Sequence, residues 1–157
     1  DIGFLKQKQD EGADYIMTQL CWDMDQFKYW LEAIRGAGIW MPVDVGIMPI
    51  LDQAATINMA LSRNGCVMPR ALCEIISKNW IFPNPFAVGL TDAKGNNACF
   101  DADIEGKKKS FKEAGIEYTI NQIDEYRACG IDGIHLYALN KYDDVARIVK
   151  ESGIVDL

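Results

Sequence analysis

Three stretches of this chain repeat one phrase: the polar end of a helix, a glycine, then a strand. They read "KQDEGADYIMTQL", "IRGAGIWMPVDVGIMP" and "YRACGIDGIHLYALN", with the glycines at Gly12, Gly38 and Gly130. A glycine just past a helix takes the left-handed backbone that side chains resist, so each marks a helix stop. Helices and strands alternating through short loops define an α/β chain with a parallel sheet. The pattern predicts three strands, near residues 14–20, 43–48 and 133–139.

The intervening segments carry the helical period. Phe27, Trp30, Leu31 and Ile34 share one face, and Asp23 with Gln26 can form a capping box ahead of them. Ile116, Ile120 and Ile123 repeat the spacing before Gly130. Val145, Ile148 and Val149 repeat it in a last helix ending near Gly153. Pro69 stands as a first-turn proline ahead of Leu72, Cys73, Ile75 and Ile76. Residues 79–110 break the rhythm, and their Pro, Gly and Asn content predicts a loop-rich insertion at the surface.

A length of 157 residues suits one domain with a real core, and 49% hydrophobic with 25% charged residues excludes disorder. The net charge of −7 argues against a nucleic-acid partner, which needs clustered cations. The one basic run, Lys107-Lys108-Lys109, reads as a solvated segment before a helix. No apolar run approaches the roughly 18 residues of a membrane span. Cys21, Cys66, Cys73, Cys99 and Cys129 form no CxxC pair, and His135 is the single histidine. Reduced, buried thiols in a cytoplasmic protein are therefore expected, and no metal site.

Alternation along the third strand puts His135, Tyr137 and Leu139 on one side and Ile134, Leu136 and Ala138 on the other. The second set belongs against helices. His135 is then either a core residue with satisfied polar groups or a piece of chemistry. Gln19, near the carboxyl end of the first strand, serves either structural hydrogen bonding or ligand contact. Asp23 is better explained as a helix cap. Asn140 and Lys141 emerge at the carboxyl end of the third strand, where a parallel barrel places its site. Three parallel strands leave both sheet edges unpaired, and the chain opens at Asp1 rather than Met, so a piece of a longer polypeptide is expected.

Taken in order, "EGADYIMTQLCWDMDQF", "VGIMPI" and "IHLYALNK" resemble the methylenetetrahydrofolate reductase family over nearly the whole chain apart from 79–110. The resemblance implies that residues 1–157 are the carboxyl-terminal part of an eight-stranded (βα) TIM barrel, incomplete here. It implies a cytoplasmic flavoprotein of one-carbon metabolism and methionine biosynthesis. With FAD, and NADH or NADPH as electron donor, that enzyme reduces 5,10-methylenetetrahydrofolate to 5-methyltetrahydrofolate. Gln19 matches the family glutamine on the pterin, Lys141 an arginine near the folate, and Met59 an aromatic packed on the folate. His135 and Tyr137 match the lumen-facing pair, with Tyr137 the nearer to ligand. Asp1 and Lys8 match positions near the adenosine or diphosphate of FAD. The family's general acid belongs to its first strand, so no catalytic residue is assigned and the isolated chain is expected to be inactive. "HLYALNK" has Leu, Ala and Lys where the family has Phe, Thr and Arg, and Leu20-Cys21-Trp22 replaces an aromatic triplet. These departures bear on folate affinity more than on fold. The alternative is a non-catalytic half-barrel, an assembly module or subunit that self-associates or joins a partner chain through its exposed sheet edges.

Overall fold

The computed structural model describes residues 2–81 and 103–154. Helix α1 (Ile2–Asp10) leads into β1 (Ile16–Met17), then α2 (Met24–Gly36), β2 (Val43–Ile47), α3 (Gln53–Leu61) and α4 (Arg70–Lys78). After residues 82–102 come α5 (Ile104–Ala128), β3 (Gly133–Leu136) and α6 (Tyr142–Ser152). The described strands form one open parallel sheet in the order β1-β2-β3, with flanking helices. Chain order equal to sheet order is the arrangement of consecutive units in a (βα) barrel.

The punctuation falls where local chemistry puts it. Gly12, Gly38 and Gly130 have φ of 97°, 74° and 70°, and Gly153 caps α6 at 66°. Asp23 caps α2 by accepting from the Asp25 and Gln26 amides, both at 3.1 Å. Asp52 caps α3 through the Ala55 amide at 2.8 Å. Pro69 occupies the cap position of α4 and the helix starts one residue later.

Four expectations need correction. The β1 ladder holds only Ile16 and Met17, extended by single bonds from Ile16 N to Pro42 O and Thr18 N to Asp44 O. Strand β3 stops at Leu136, because Leu139 and Asn140 turn through φ of 44° and 63°, so Leu139 is solvent-exposed rather than on the His135 face. Lys107-Lys108-Lys109 lie inside α5, not before it, and residues 104–110 of the expected insertion are helical. Cys73 is exposed, since α4 turns Leu72 and Ile76 inward and leaves Cys73 on its outer side. Cys99 and most of the expected insertion lie outside the described residues.

Two apolar clusters hold the layers together. In the first, Val43, Val45 and Ile47 of β2 pack with Phe27 and Ile34 of α2, Ile116, Ile123 and Tyr126 of α5, and Ile148 of α6. Each such side chain contributes about 1.5–3 kcal/mol by leaving water. Phe27 and Tyr126 meet edge to face at 4.7 Å, the geometry ring quadrupoles favour. The second cluster sits beyond the carboxyl ends of the strands. Leu20 and Trp22 after β1, Met48 and Ile50 after β2, Leu72 and Ile76 of α4, and Phe111 of α5 compose it. Gly115 lets α5 approach Ile50 so closely that a Cβ there would strike the Ile50 backbone carbonyl. Thr119 secures this crossing by accepting from the Ile50 amide (3.2 Å) and donating to the Gly115 carbonyl (2.7 Å).

Candidate functional site at the strand ends

The loop after β1 is pinned from α5. The Cys21 carbonyl accepts from Gln122 Nε2 at 2.8 Å and from the Tyr126 hydroxyl at 2.6 Å, and the Trp22 carbonyl accepts from the Tyr118 hydroxyl at 3.3 Å. Buried amides and phenols find partners because leaving them unpaired is costly. Burial pushes Tyr118 up to about 12 and raises Tyr126 as well, so both remain neutral donors. Burial likewise raises Cys21 and Cys66, whose thiols donate to the Asp23 and Leu20 carbonyls, both at 3.2 Å. Thiols held protonated in this way are structural rather than nucleophilic.

On this anchored loop Gln19 is exposed, and its Oε1 accepts from the Leu20 amide at 3.0 Å. Its NH2 group has no partner among the described residues. It lines a cavity of about 580 Å³ with Leu20, Asn64 and Gly65 on one side and Ile16, Phe27 and Trp30 of the first cluster on the other. Asn64 donates to Met59 Sδ at 2.8 Å, which links Met59 to the rim of the Gln19 cavity. Met59 and Tyr137 both pack on the second apolar cluster, although they come from α3 and the end of β3. Lys141, capping α6, lines a separate cavity of about 480 Å³ with Phe111 of the same cluster. Met59 and Tyr137 thus share the second cluster, while Gln19 and Lys141 line two separate cavities that touch it through Leu20 and Phe111.

Lys8 falls elsewhere. It lies in the last turn of α1 and its carbonyl accepts from the Ala13 amide at 3.0 Å, which places it by the amino end of β1. There it lines another cavity with Phe4, Gln7 and Glu11. Asp1 lies outside the described residues.

The sheet face opposite the helices carries Met17, Asp44, Gly46 and His135, as the pairings Met17 to Asp44 and Gly46 to His135 require. His135 is half-buried and packs edge to face on Tyr137 at 4.8 Å, with no side-chain hydrogen bond among the described residues. Among the described residues His135 is thus neither enclosed nor hydrogen-bonded through its side chain. Gly46 admits the Tyr137 ring: a Cβ at Gly46 would fall 3.0 Å from the ring and 2.7 Å from the Thr18 carbonyl. Asp44 Oδ1 is buried and unpartnered among the described residues.

Sequence reasoning missed Asn64, Gly46 and Gln53. Buried Gln53 donates to the Ile76 and Asn79 carbonyls (3.1 and 2.9 Å) and accepts from the Ile81 amide, fastening α3 to the end of α4. Asn64 did leave a signal, the turn-forming "RNG": Arg63 and Gly65 have φ of 57° and 86°. Gln53 and Gly46 left none. Among the described residues no group of three or more His, Cys, Asp or Glu could hold a metal ion, and no helix is long and apolar enough to cross a membrane.

Successive parallel βα units in an open sheet with flanking helices define a segment of a (βα) barrel. The family model for methylenetetrahydrofolate reductase matches residues 1–81. The chain is 31% identical over 155 residues to methylenetetrahydrofolate reductase 1 of Schizosaccharomyces pombe, covering 99% of this chain and 21% of that protein. It is 29% identical over 156 residues to methylenetetrahydrofolate reductase (NADH) 1 of Arabidopsis thaliana, covering 99% and 22%. A probable methylenetetrahydrofolate reductase (NADPH) of Caenorhabditis elegans is 24% identical over 154 residues, covering 98% and 20%. The chain belongs to the methylenetetrahydrofolate reductase family, and it spans about a fifth of the length of these relatives.

Proposed function

We propose that this chain supplies the folate-binding end of a flavin-dependent reductase that converts 5,10-methylenetetrahydrofolate to 5-methyltetrahydrofolate in the cytoplasm. The carrying observation is that Met59 and Tyr137 pack on one apolar cluster beyond the strand carboxyl ends, with Gln19 next to its Leu20 and Lys141 lining a cavity with its Phe111. A pterin edge presents donors and acceptors together, which an amide can match with one side chain. Gln19 has its NH2 group available for that pairing. Met59 and Tyr137 offer the ring system an apolar floor, and Lys141 offers a cation to the acidic end of the folate. These residues bind and orient; positioning of this kind accounts for much of the rate in flavin chemistry.

FAD, reduced by NADH or NADPH, would supply the hydride in the whole protein. Lys8 suits a phosphate by charge, but it stands by the amino end of β1, away from Gln19 and Lys141. On this reading the flavin is held largely by further parts of the barrel, and this chain alone is expected to be inactive. The direct test adds FAD, NADH or NADPH, and 5,10-methylenetetrahydrofolate to this chain and to a longer protein containing it. Flavin retention and turnover by the longer protein alone support the reading, and a longer protein that never retains flavin overturns it.

A second reading, a non-catalytic half-barrel that assembles with another chain, is motivated by the open sheet. Among the described residues β1 and β3 each pair on one side only, and Met17 is half exposed on the uncovered face. Light scattering separates the two: a stable monomer across a wide concentration range counts against an assembly module.

A further inference from the structure

The turn between α3 and α4, "SRNG", carries the chain's one Asn-Gly pair, Asn64-Gly65. Arg63 and Gly65 both take left-handed backbone, at φ of 57° and 86°. The Asn64 carboxamide folds back over this turn: its Oδ1 accepts from the Cys66 amide at 3.0 Å, and its Nδ2 donates to Met59 Sδ at 2.8 Å. The Gly65 amide between them donates to nothing among the described residues. Gly65 is exposed, and a Cβ there would meet only open space, so water reaches the turn. Three conditions for attack on a carboxamide by the next backbone nitrogen therefore coincide. The nitrogen has no partner, no side chain shields it, and an N–H already points at the oxygen on which negative charge develops.

We propose that Asn64 is a self-modification site, where the side-chain amide becomes a carboxylate and changes the charge at the rim of the Gln19 cavity. The Gly65 nitrogen gives its proton to water and forms a bond to Asn64 Cγ. The Cγ–Nδ2 bond breaks, and the leaving nitrogen takes a proton back from water and departs as ammonia. The five-membered succinimide left behind is opened by water at either carbonyl, giving aspartate or isoaspartate. One water is consumed and one ammonia released, and nothing is oxidised or reduced. The new carboxylate can still accept from the Cys66 amide, but it has no hydrogen to give Met59 Sδ. It stands beside Gln19 and Leu20 at the cavity rim. In the isoaspartate form the main chain also runs through the former side chain, which pulls Cys66 from the Leu20 carbonyl that its thiol bonds at 3.2 Å. The conversion thus ages the site in one direction, releasing Met59 and repelling an anionic ligand. The modification stands without the folate reading; only its effect on ligand rests on it.

The test incubates the chain at neutral and mildly alkaline pH and follows residues 64–70, released by trypsin, by mass spectrometry, beside a synthetic peptide of residues 60–70. The expected result is the mass gain of an amide-to-acid exchange, with isoaspartate present, about tenfold faster than at the exposed Asn121 and Asn140. It should be at least as fast as in the synthetic peptide, and faster as pH rises. Asn64→Gln keeps an amide but needs a larger ring, and should abolish the change at this position. Conversion in the synthetic peptide but not in the folded chain overturns the proposal, because the fold then protects the pair. Equal conversion at Asn121 and Asn140 overturns it too, as ageing without a site. The effect on ligand is read with Asn64→Asp, which should bind 5-methyltetrahydrofolate about threefold more weakly than the unaltered chain. Equal affinity overturns that effect and leaves the modification standing. Binding by neither protein overturns the folate reading and the effect with it, while the mass change decides the modification by itself.

Discussion

The two apolar clusters are built from similar residues and do different work. The cluster on the helix-facing side of the sheet is almost wholly aliphatic and aromatic, and Ile34, Val43, Val45, Ile123 and Ile148 are sealed from solvent. The cluster beyond the strand ends mixes apolar side chains with buried polar ones, Gln53 and Thr119 bonding near it and Asn64 at its margin. The first cluster gains chiefly from packing and fixes the sheet, with Gln122 and the Tyr126 hydroxyl bonding the Cys21 carbonyl at its edge. A cluster threaded with amides and hydroxyls has each position set by bond directions as well, which is what a ligand-orienting surface needs. Stability should therefore respond to the first cluster, and recognition to the margins of the second.

The sharpest break lies where the clusters are joined. Gly115→Ala puts a methyl group against the Ile50 carbonyl, and should cost about 3 kcal/mol or prevent folding, read from urea denaturation. Next, Ile123→Ala in the first cluster should cost about 3 kcal/mol, while Met59→Ala, half-buried at the second, should cost about 1 kcal/mol. Equal losses would erase the distinction between the clusters. Gln19→Ala reverses the emphasis: its side chain bonds only the next amide, so stability should hold within about 0.5 kcal/mol. Folate affinity, measured by calorimetry, should fall about tenfold to thirtyfold.

The smallest effect is one of pH. Burial holds Tyr118 up at about 12 against the ordinary 10.0, so the folded chain keeps a proton that the unfolded chain gives up. Stability should be intact below pH 10 and decline as pH rises toward 12. Tyr118→Phe should make that decline shallower, and Tyr126, raised in the same direction, should keep it from vanishing. An unchanged slope would mean that Tyr118 is more solvated than its contact with the Trp22 carbonyl implies.

Much of the fold could be read directly because its signals are local. Gly12, Gly38, Gly130 and Gly153 take left-handed backbone within one helix turn of where they stand. Asp23 and Asp52 cap helices that start one residue later. Lys107-Lys108-Lys109 was misplaced because the first turns of α5 carry no apolar period, and a charged helix start resembles a charged loop. Cys73 reads as buried because it adjoins Leu72 in sequence, while on the helix it lies about 100° around from Leu72, at the edge of the buried stripe. The half-buried state of His135 was also invisible, since it depends on what covers the sheet face and not on the strand itself.

The candidate site divides the same way. Gln19 and Lys141 could be named from motifs, because strand-end position follows from chain direction. That Asn64 ties Met59 to the rim beside Gln19, and that Gly46 receives Tyr137, were decided by tertiary structure alone. The sequence by itself determined the alternation of helix and strand, the stops and caps, and the end of the sheet where polar groups collect. Each of those depends on neighbours within a few residues. Which side chains share a cavity, and which polar groups are left unpaired, depends on contacts between elements tens of residues apart, and only the folded packing brings those together.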